Sequence, residues 1–170
     1  MKSFKIALFF AFFALSLSGF AQDLKFAHID VQKLVASLPE KVKADKALQD
    51  EAAKLQSQLK IMSEELDKKY ADYMAQKDSL PDLVKSIKEK EIQDQNQRIQ
   101  NYNQLAQQSL SQKEQELLKP IIEKVQGAID AVGAEKGFIY IFDISSKIIV
   151  FHSEKSVDAE PLVKAKLGIL

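Results

Sequence analysis

Two histidines and an aspartate are the side chains in this sequence best suited to holding a metal ion. His28 and Asp30 lie two residues apart, so in an extended strand they point to the same face, and His152 ends another apolar run. Imidazole and carboxylate groups bind zinc, but no third ligand lies at the close spacing typical of zinc sites. We interpret all three as surface or interface groups and predict neither a metal site nor a cofactor.

No other kind of catalytic site is indicated. Gly127, Gly133 and Gly137 lack the spacing and the strand-to-helix context of a phosphate-binding loop. Serine, histidine and aspartate are all present, but no nucleophile-elbow motif singles out one serine. The chain has no cysteine, which excludes disulfides, thiol redox chemistry and a cysteine-linked lipid anchor. The sequence therefore predicts no catalytic residue and no enzyme.

Residues 1–21 have the pattern of a secretory signal peptide. Lys2 and Lys5 precede the apolar run IALFFAFFALSL, which gives way to the small residues of SGFA. The run is shorter than the ~20 residues that span a bilayer, so we expect cleavage after Ala21 rather than retention as an anchor. Removing the two lysines from the 24 basic side chains leaves 22 against 24 acidic ones. That balance argues against a nucleic-acid-binding protein.

Residues 41–77 and 82–119 contain neither glycine nor proline, are rich in good helix formers, and predict two helices of roughly 55 Å each. The intervening KDSLPDL predicts a turn at residues 78–82, with Ser79 or Asp78 as N-cap and Pro81 in the first turn. Equal legs on a short turn predict an antiparallel hairpin, called the arm. Apolar residues at steps of three and four predict a coiled-coil seam: Leu48, Ala52, Leu55, Leu59, Met62, Leu66, Tyr70 and Tyr73, then Ile92, Ile99, Tyr102, Ala106, Leu110, Leu117 and Ile121.

The stretch QNQRIQNYNQLAQQSLSQ, residues 95–112, is more than half Asn and Gln. Such a composition is also typical of disordered tracts, but its apolar residues keep the helical period, so we predict a helix with amide-rich outer faces. We hypothesise that four glutamines offer weak hydrogen bonds to many partner sequences. The alternative is an inert, solvated helix face. These four, called the amide stripe, are Gln97, Gln100, Gln104 and Gln108.

Methionine and tyrosine side chains gather near the tip of the arm and are a second candidate for partner contacts. Met62, Tyr70, Tyr73 and Met74 supply adaptable, amphipathic surface, which suits a protein with many partners. The alternative is that both tyrosines pack in the seam, whereas Met74 falls outside it. The seam residues opposite the tyrosines would be Leu83, Val84 and Ile87.

The rest of the chain predicts a small α+β body, residues 22–40 and 120–170, attached to an arm at residues 41–119. Strands are expected at KFAHIDV, FIYIFD and KIIVFHS, the last two as a hairpin across ISS. The second helix is expected to continue past Pro120 and end at Gly133 or Gly137. A short closing helix is expected after Asp158 as cap, with Pro161 in its first turn.

A body of this size buries a marginal core, and FIYIF is a strand that invites edge pairing. We therefore predict an obligate oligomer with the strands at its interface and the arms projecting from it. The predicted interface residues are Phe26, Ile29, Phe138, Tyr140, Phe142, Ile149 and Phe151.

The order of these parts resembles the Skp/OmpH family of periplasmic chaperones. The likeness is carried by KFAHIDVQKLVASLPE and by PIIEKVQGAIDAVGAEKGFIYIFDISSKIIVFHSEKSVDAEPLVKAKL, with the long hairpin between them. The resemblance implies a homotrimer with a barrel-like body in the periplasm. It also implies three arms around a cavity that holds unfolded outer-membrane β-barrel proteins without ATP.

The charge of the arm departs from the basic arms usual in this family. Residues 41–119 carry 14 basic and 14 acidic side chains, which argues against strong attraction to anionic lipid or lipopolysaccharide. The alternative functions are therefore a structural coiled-coil spacer that binds a folded envelope partner and, less favoured, a membrane or lipopolysaccharide binder.

Overall fold

The computed structural model describes residues 24–169. The predicted signal peptide lies outside the described residues. In chain order the elements are β1 (Lys25–Ile29), α1 (Val31–Ala36), α2 (Pro39–Gln76), a 3₁₀ turn (Lys77–Ser79), α3 (Asp82–Lys136), β2 (Phe138–Asp143), β3 (Val157–Asp158) and α4 (Glu160–Leu167). The predicted α+β class, a long antiparallel helical hairpin on a small sheet, is confirmed.

The turn at the tip of the hairpin differs in detail from the predicted one. Neither Ser79 nor Asp78 caps α3; Pro81 occupies the N-cap position, and its carbonyl accepts from the amides of Val84 and Lys85 at 2.9 and 3.0 Å. A residue before proline is held in an extended conformation, so Leu80 cannot be helical and α3 cannot begin earlier. Ser79 instead donates its hydroxyl hydrogen to the carbonyl of Gln76 at 2.8 Å.

The second long helix continues through Pro120 to Lys136, as the sequence predicts. Proline inside a helix removes one backbone hydrogen bond. Ile121 and Val125, which follow it, are buried in the core, and their packing offsets that loss. Of the two predicted helix ends, Gly137 is the one used: its φ of 68° is left-handed, and its amide donates to the carbonyl of Gly133.

The sheet has the strand order β2-β1-β3, and both pairs are parallel. The predicted strand at KIIVFHS, and its hairpin with FIYIFD, are therefore wrong. The free edge of β1 is taken by Val157–Asp158, and residues 144–156, here called the connecting segment, cross from the end of β2 to that edge. A hairpin would have run antiparallel to β2 on its far edge. The Lys147 φ of 57° marks a sharp turn in the connecting segment.

The core lies between the inner face of the sheet and the roots of the helices. Its fully buried large side chains are Ile29, Leu34, Leu38, Val125 and Val163. Leu34 belongs to α1, which the sequence analysis did not predict. The Asp30 carboxylate caps this short helix by accepting from the Lys33 amide at 2.9 Å. The Asp158 carboxylate accepts from the Glu160 amide at the start of α4, also at 2.9 Å.

Three ion pairs join different helices at the root of the hairpin, and a fourth, Lys164–Glu160, lies within α4. Lys124 of α3 lies 2.6 Å from the carboxylate of Glu40 in α2, and Lys166 of α4 pairs with Glu135 of α3. The hydrogen bond from each lysine lowers the pKa of its glutamate. Glu160 lies between Lys164 at 2.7 Å and Lys33 at 3.2 Å, and its pKa is lowered chiefly by the hydrogen bond from Lys164.

Candidate functional site

The outer face of the sheet is aromatic and uncovered. Ala27 and Ile29 of β1 point into the core, so the alternating residues Phe26 and His28 point outwards. The strand register places Phe26 beside Tyr140, and their rings stack with centroids 6.4 Å apart and planes 3° apart. Tyr140 and Phe142 stack with centroids 5.7 Å apart. Phe26, Tyr140 and Phe142, all exposed, are called the aromatic face.

The connecting segment extends this apolar surface. Ile148 and Phe151 are exposed, and 94% of the Val150 surface is accessible. A cleft of about 270 Å³ lies between the segment and the aromatic face. Contiguous exposed apolar surface of this kind marks an interaction site. The cleft is lined by Phe26, His28, Phe142, Ile149, Phe151 and His152.

The structure divides the predicted interface residues into two groups. Phe26, Tyr140, Phe142 and Phe151 are exposed, and Ile149 is half-buried at the cleft. The remaining two face the core of the protomer: Ile29 is fully buried there, and Phe138 is half-buried against it. Strand alternation places Ile29 on the inner face with Ala27, and an irregular register at the start of β1 lets Phe138 pack against the core.

The two histidines meet at one edge of the cleft. Their ring centroids lie 3.9 Å apart with planes at 24°, and the Nδ1 atom of His28 is hydrogen-bonded to the Ser156 hydroxyl at 2.9 Å. Asp30 is occupied as the cap of α1. Within residues 24–169, no group of three or more His, Cys, Asp or Glu side chains is arranged to hold a metal ion. The pair alone does not make a metal centre.

The seam of the arm buries some predicted contact residues. Tyr73 is only 5% exposed, and its hydroxyl donates to the Glu89 carboxylate, which raises the pKa of Tyr73 to about 12. Met62 is half-buried, and the side-chain amide nitrogen of Gln95, a buried residue of α3, lies 3.5 Å from the Met62 carbonyl oxygen. Tyr70 and Met74 remain half-exposed at the surface. These last two are therefore the most accessible of the four to a partner.

The amide stripe lies on the outer surface of α3, and all four glutamines are exposed. Gln104 is two residues from both Tyr102 and Ala106 of the seam, which places it on the opposite side of the helix. Gln97 donates to the Asn101 side-chain oxygen at 3.0 Å. The stripe therefore presents amides to solvent along one line of the arm.

Four exposed apolar residues of the hairpin, Val42, Ile61, Leu105 and Ile122, were not among the contact residues predicted from the sequence. Of the three residues that the seam alternative placed opposite the tyrosines, Val84 is half-buried, whereas Leu83 is 74% exposed and Ile87 about half. The exposure of Leu83 and Ile87 could have been predicted from their positions, because these residues fall outside the seam spacing of three and four. The exposed apolar set of the two long helices comprises Val42, Ile61, Tyr70, Met74, Leu83, Ile87, Leu105 and Ile122.

Among residues 24–169, no helix combines the length and the apolar character needed to cross a membrane.

Comparison with known proteins places this fold in a family. The model of a family described as outer membrane protein (OmpH-like) matches residues 25–167. A similar solved structure is that of a protein described as an outer membrane chaperone (OmpH-like) from Caulobacter crescentus. It has a TM-score of 0.74 and 17% identity, over 85% of this chain and 83% of that chain. No curated protein matches the sequence. The family model spans both ends of the body and the whole hairpin, and the chain belongs to the OmpH-like family.

Proposed function

We propose that this protein is an ATP-independent holdase chaperone of the periplasm, which binds unfolded outer-membrane β-barrel proteins and prevents their aggregation. Membership of the OmpH-like family supports a chaperone role. The proposal needs neither cofactor nor catalytic residue, and it includes export by the signal peptide with cleavage near Ala21. In this proposal the body, residues 22–40 and 120–170, assembles the protein, and the arm, residues 41–119, holds the client.

The observation that carries the proposal is the distribution of apolar side chains on the arm. Tyr70, Met74, Leu83 and Leu105 belong to the exposed apolar set of the two long helices, whose exposed surface is otherwise rich in charged and amide side chains. Isolated apolar groups on a polar surface give many weak contacts rather than one tight site. An unfolded chain exposes apolar segments along its length and can use several such contacts at once, whereas a folded protein cannot.

The amide stripe adds contacts that do not depend on the sign of charge. Glutamine side chains both donate and accept hydrogen bonds, so they suit clients of varied sequence. With no net charge on residues 41–119, attraction to one charge sign is not the basis of binding. Contact with membrane or lipopolysaccharide has correspondingly little support.

The aromatic face supports assembly into an oligomer, and we propose a homotrimer because the resemblance to Skp-like proteins implies three copies. Phe26, Tyr140 and Phe142 are left uncovered by the protomer, and the connecting segment beside them keeps its β-favouring residues out of the sheet. A neighbouring copy that packs on this face would bury the apolar surface and pair the exposed backbone. The arms of the assembled copies would then surround a shared cavity.

The test is dilution of a urea-unfolded outer-membrane β-barrel protein into buffer with residues 22–170, without ATP. Light scattering follows aggregation, and the mass of the assembly is determined on the same sample. We expect stoichiometric suppression by an oligomer of three protomers. Replacing Tyr70, Met74, Leu83 and Leu105 by Ser should weaken suppression and leave the mass unchanged.

A matched control changes exposed polar residues of the same helix pair, Gln56→Ser and Gln58→Ser, and should suppress aggregation like the parent chain. Unchanged aggregation with a stable oligomer would contradict the holdase and favour a structural spacer between envelope components. A spacer would bind one folded partner saturably and ignore unfolded chains.

A further inference from the structure

The two histidines join the connecting segment to the sheet. His28 belongs to β1 and His152 to the segment, and their rings stack with centroids 3.9 Å apart. The hydrogen bond between His28 and Ser156 at 2.9 Å adds a second link from the same strand residue. Much of the remaining segment is exposed, Val150 and Phe151 above all. The histidine stack is therefore a principal contact between this segment and the outer face of the sheet.

The surroundings of the stack are apolar on the side of the cleft. Phe26, Phe142, Ile149 and Phe151 line the cleft together with the two imidazoles. Apolar walls reduce the solvation of charge and strengthen the repulsion between like charges. Two neutral rings are stable in such a stack. Two protonated rings at this separation repel each other.

In the part of the chain that the structure describes, no carboxylate of the adjoining elements forms a hydrogen bond or an ion pair with either histidine. Asp158, the register partner of His28 on β3, accepts from the Glu160 amide, and Asp143 of β2 accepts from Val31 and Ser145. Among residues 24–169, neither histidine takes part in any of the ion pairs described above. The titratable and charged groups around the pair are Lys25 and Asp30 at the ends of β1, Tyr140 and Asp143 in β2, Lys147, Glu154 and Lys155 in the segment, and Asp158 in β3.

We propose that the His28–His152 stack is a pH-sensitive contact that holds the connecting segment on the sheet while the rings are neutral and releases it when both are protonated. Histidine changes charge between about pH 5 and 8, so release follows acidification. Because the segment carries Ile149 and Phe151, release would also alter the oligomer interface. That last consequence rests on the proposed function, whereas the release itself does not.

Hydrogen exchange of residues 22–170, measured at about pH 7.5 and pH 5.0, tests the proposal. At each pH the intrinsic exchange rate is divided by the observed rate to give a protection factor, so that the effect of pH on exchange itself is removed. Peptides covering residues 144–158 should lose about tenfold or more of their protection at the lower pH. Peptides covering residues 85–110 of the arm should keep theirs. The His152→Phe variant retains a stacking ring that cannot be protonated, and its segment should stay protected at both pH values.

Three variants make the result decisive. His152→Gln removes the charge without a stacking ring and should show an equal, low protection at both pH values. Glu154→Gln removes a titratable group next to the pair and should respond to pH like the parent chain. The proposal is overturned if acidification leaves the parent segment protected, if His152→Phe loses as much protection as the parent, or if Glu154→Gln abolishes the response. The mass of the assembly, measured in the same samples, separates release of the segment from an effect on the oligomer. If parent and His152→Phe chains have equal mass at about pH 5.0 but unequal protection of the segment, the pH-sensitive contact is supported and its role in assembly is contradicted.

Discussion

The hydroxyl of Tyr73 in α2 donates a hydrogen bond to the carboxylate of Glu89 in α3, tying the two helices together near the tip of the hairpin. Tyr73 is buried in the seam, and Glu89 is exposed at its edge. The bond links two residues on opposite legs of the hairpin. It therefore fixes how one leg lies against the other where the seam is furthest from the body.

Removing this hydrogen bond should loosen the tip of the arm. We expect Tyr73→Phe to lower the melting temperature by a few degrees, since the ring still fills the seam and only the bond is lost. Tyr70→Phe, at an exposed position on the same helix, is the control and should melt like the parent chain. Circular dichroism of both variants measures the effect. Equal melting temperatures for all three chains would show that the bond contributes nothing to stability.

The same bond makes the arm sensitive to alkali. The pKa of Tyr73 is raised by the Glu89 hydrogen bond from its ordinary value of 10 to about 12. A raised pKa in the folded state contributes stability that is fully present below about pH 10 and lost as the pH rises through about 12. The unfolding temperature of the parent should thus fall across that window more steeply than that of Tyr73→Phe. Parallel pH profiles for the two chains would contradict this assignment.

Adding a side chain to the glycine that ends α3 should destabilise the protein, whereas adding one to a glycine inside the helix should stabilise it. Gly137 has a φ of 68°, where a Cβ atom costs about 1–2 kcal/mol, so Gly137→Ala should destabilise the body by roughly that amount. Gly127→Ala adds its methyl group to open space in a helical region and should stabilise by about 0.5–1 kcal/mol. Urea unfolding of both variants gives the comparison. The expectation fails if both substitutions shift stability in the same direction.

Replacing a buried leucine and an exposed leucine by alanine should affect stability very differently. Leu34 is fully buried in α1, and Leu34→Ala should cost about 2–5 kcal/mol in the free energy of unfolding. Leu105 is 62% exposed on the arm, and Leu105→Ala should change that free energy by no more than about 0.5 kcal/mol. Urea titration measures both. A large loss on replacing Leu105 would mean that this side chain is covered in the assembled protein rather than free for a client.

The long helices of the fold could be predicted because their cause is local. The absence of glycine, the spacing of the seam and the proline at the tip act within a few residues of one another, and they fix both legs of the hairpin. Sheet pairing was not predictable in the same way. Val157 and Asp158 form a strand of only two residues, which is too short to show an alternating sequence pattern. This strand pairs with β1, from which it is separated in the chain by the whole arm and β2.

The candidate site was likewise predicted in part. Phe26, Tyr140 and Phe142, which the sequence analysis assigned to the oligomer interface, lie on the exposed outer face of the sheet, and their place in an interface stays a prediction. The His28–His152 stack depends on the course of the connecting segment, which no local rule specifies. The exposure of Leu83 depends on how the legs meet at the tip.

Charge on the aromatic face should prevent assembly without unfolding the protomer. Tyr140 is exposed in the protomer, so Tyr140→Glu places a carboxylate on the face that a second copy would bury. We expect a lower assembly mass by sedimentation with helix content retained. Gln56→Glu, at an exposed position of α2 in the arm, is the control and should assemble normally. An unchanged mass for Tyr140→Glu would place the interface elsewhere.

The amide stripe is tested by replacing its neutral amide side chains with charged ones of similar length. Replacing Gln97, Gln100, Gln104 and Gln108 alternately by Glu and Lys keeps the net charge and good helix propensity, and it replaces neutral amides with strongly hydrated ions. If the amides contact clients, the release rate of a bound outer-membrane protein should change severalfold, followed by fluorescence of a labelled client. The same exchange of Gln56 and Gln58, exposed on α2, serves as the control. An identical release rate in the parent, stripe and control chains would leave the glutamines as solvated surface and assign client holding to the exposed apolar set alone.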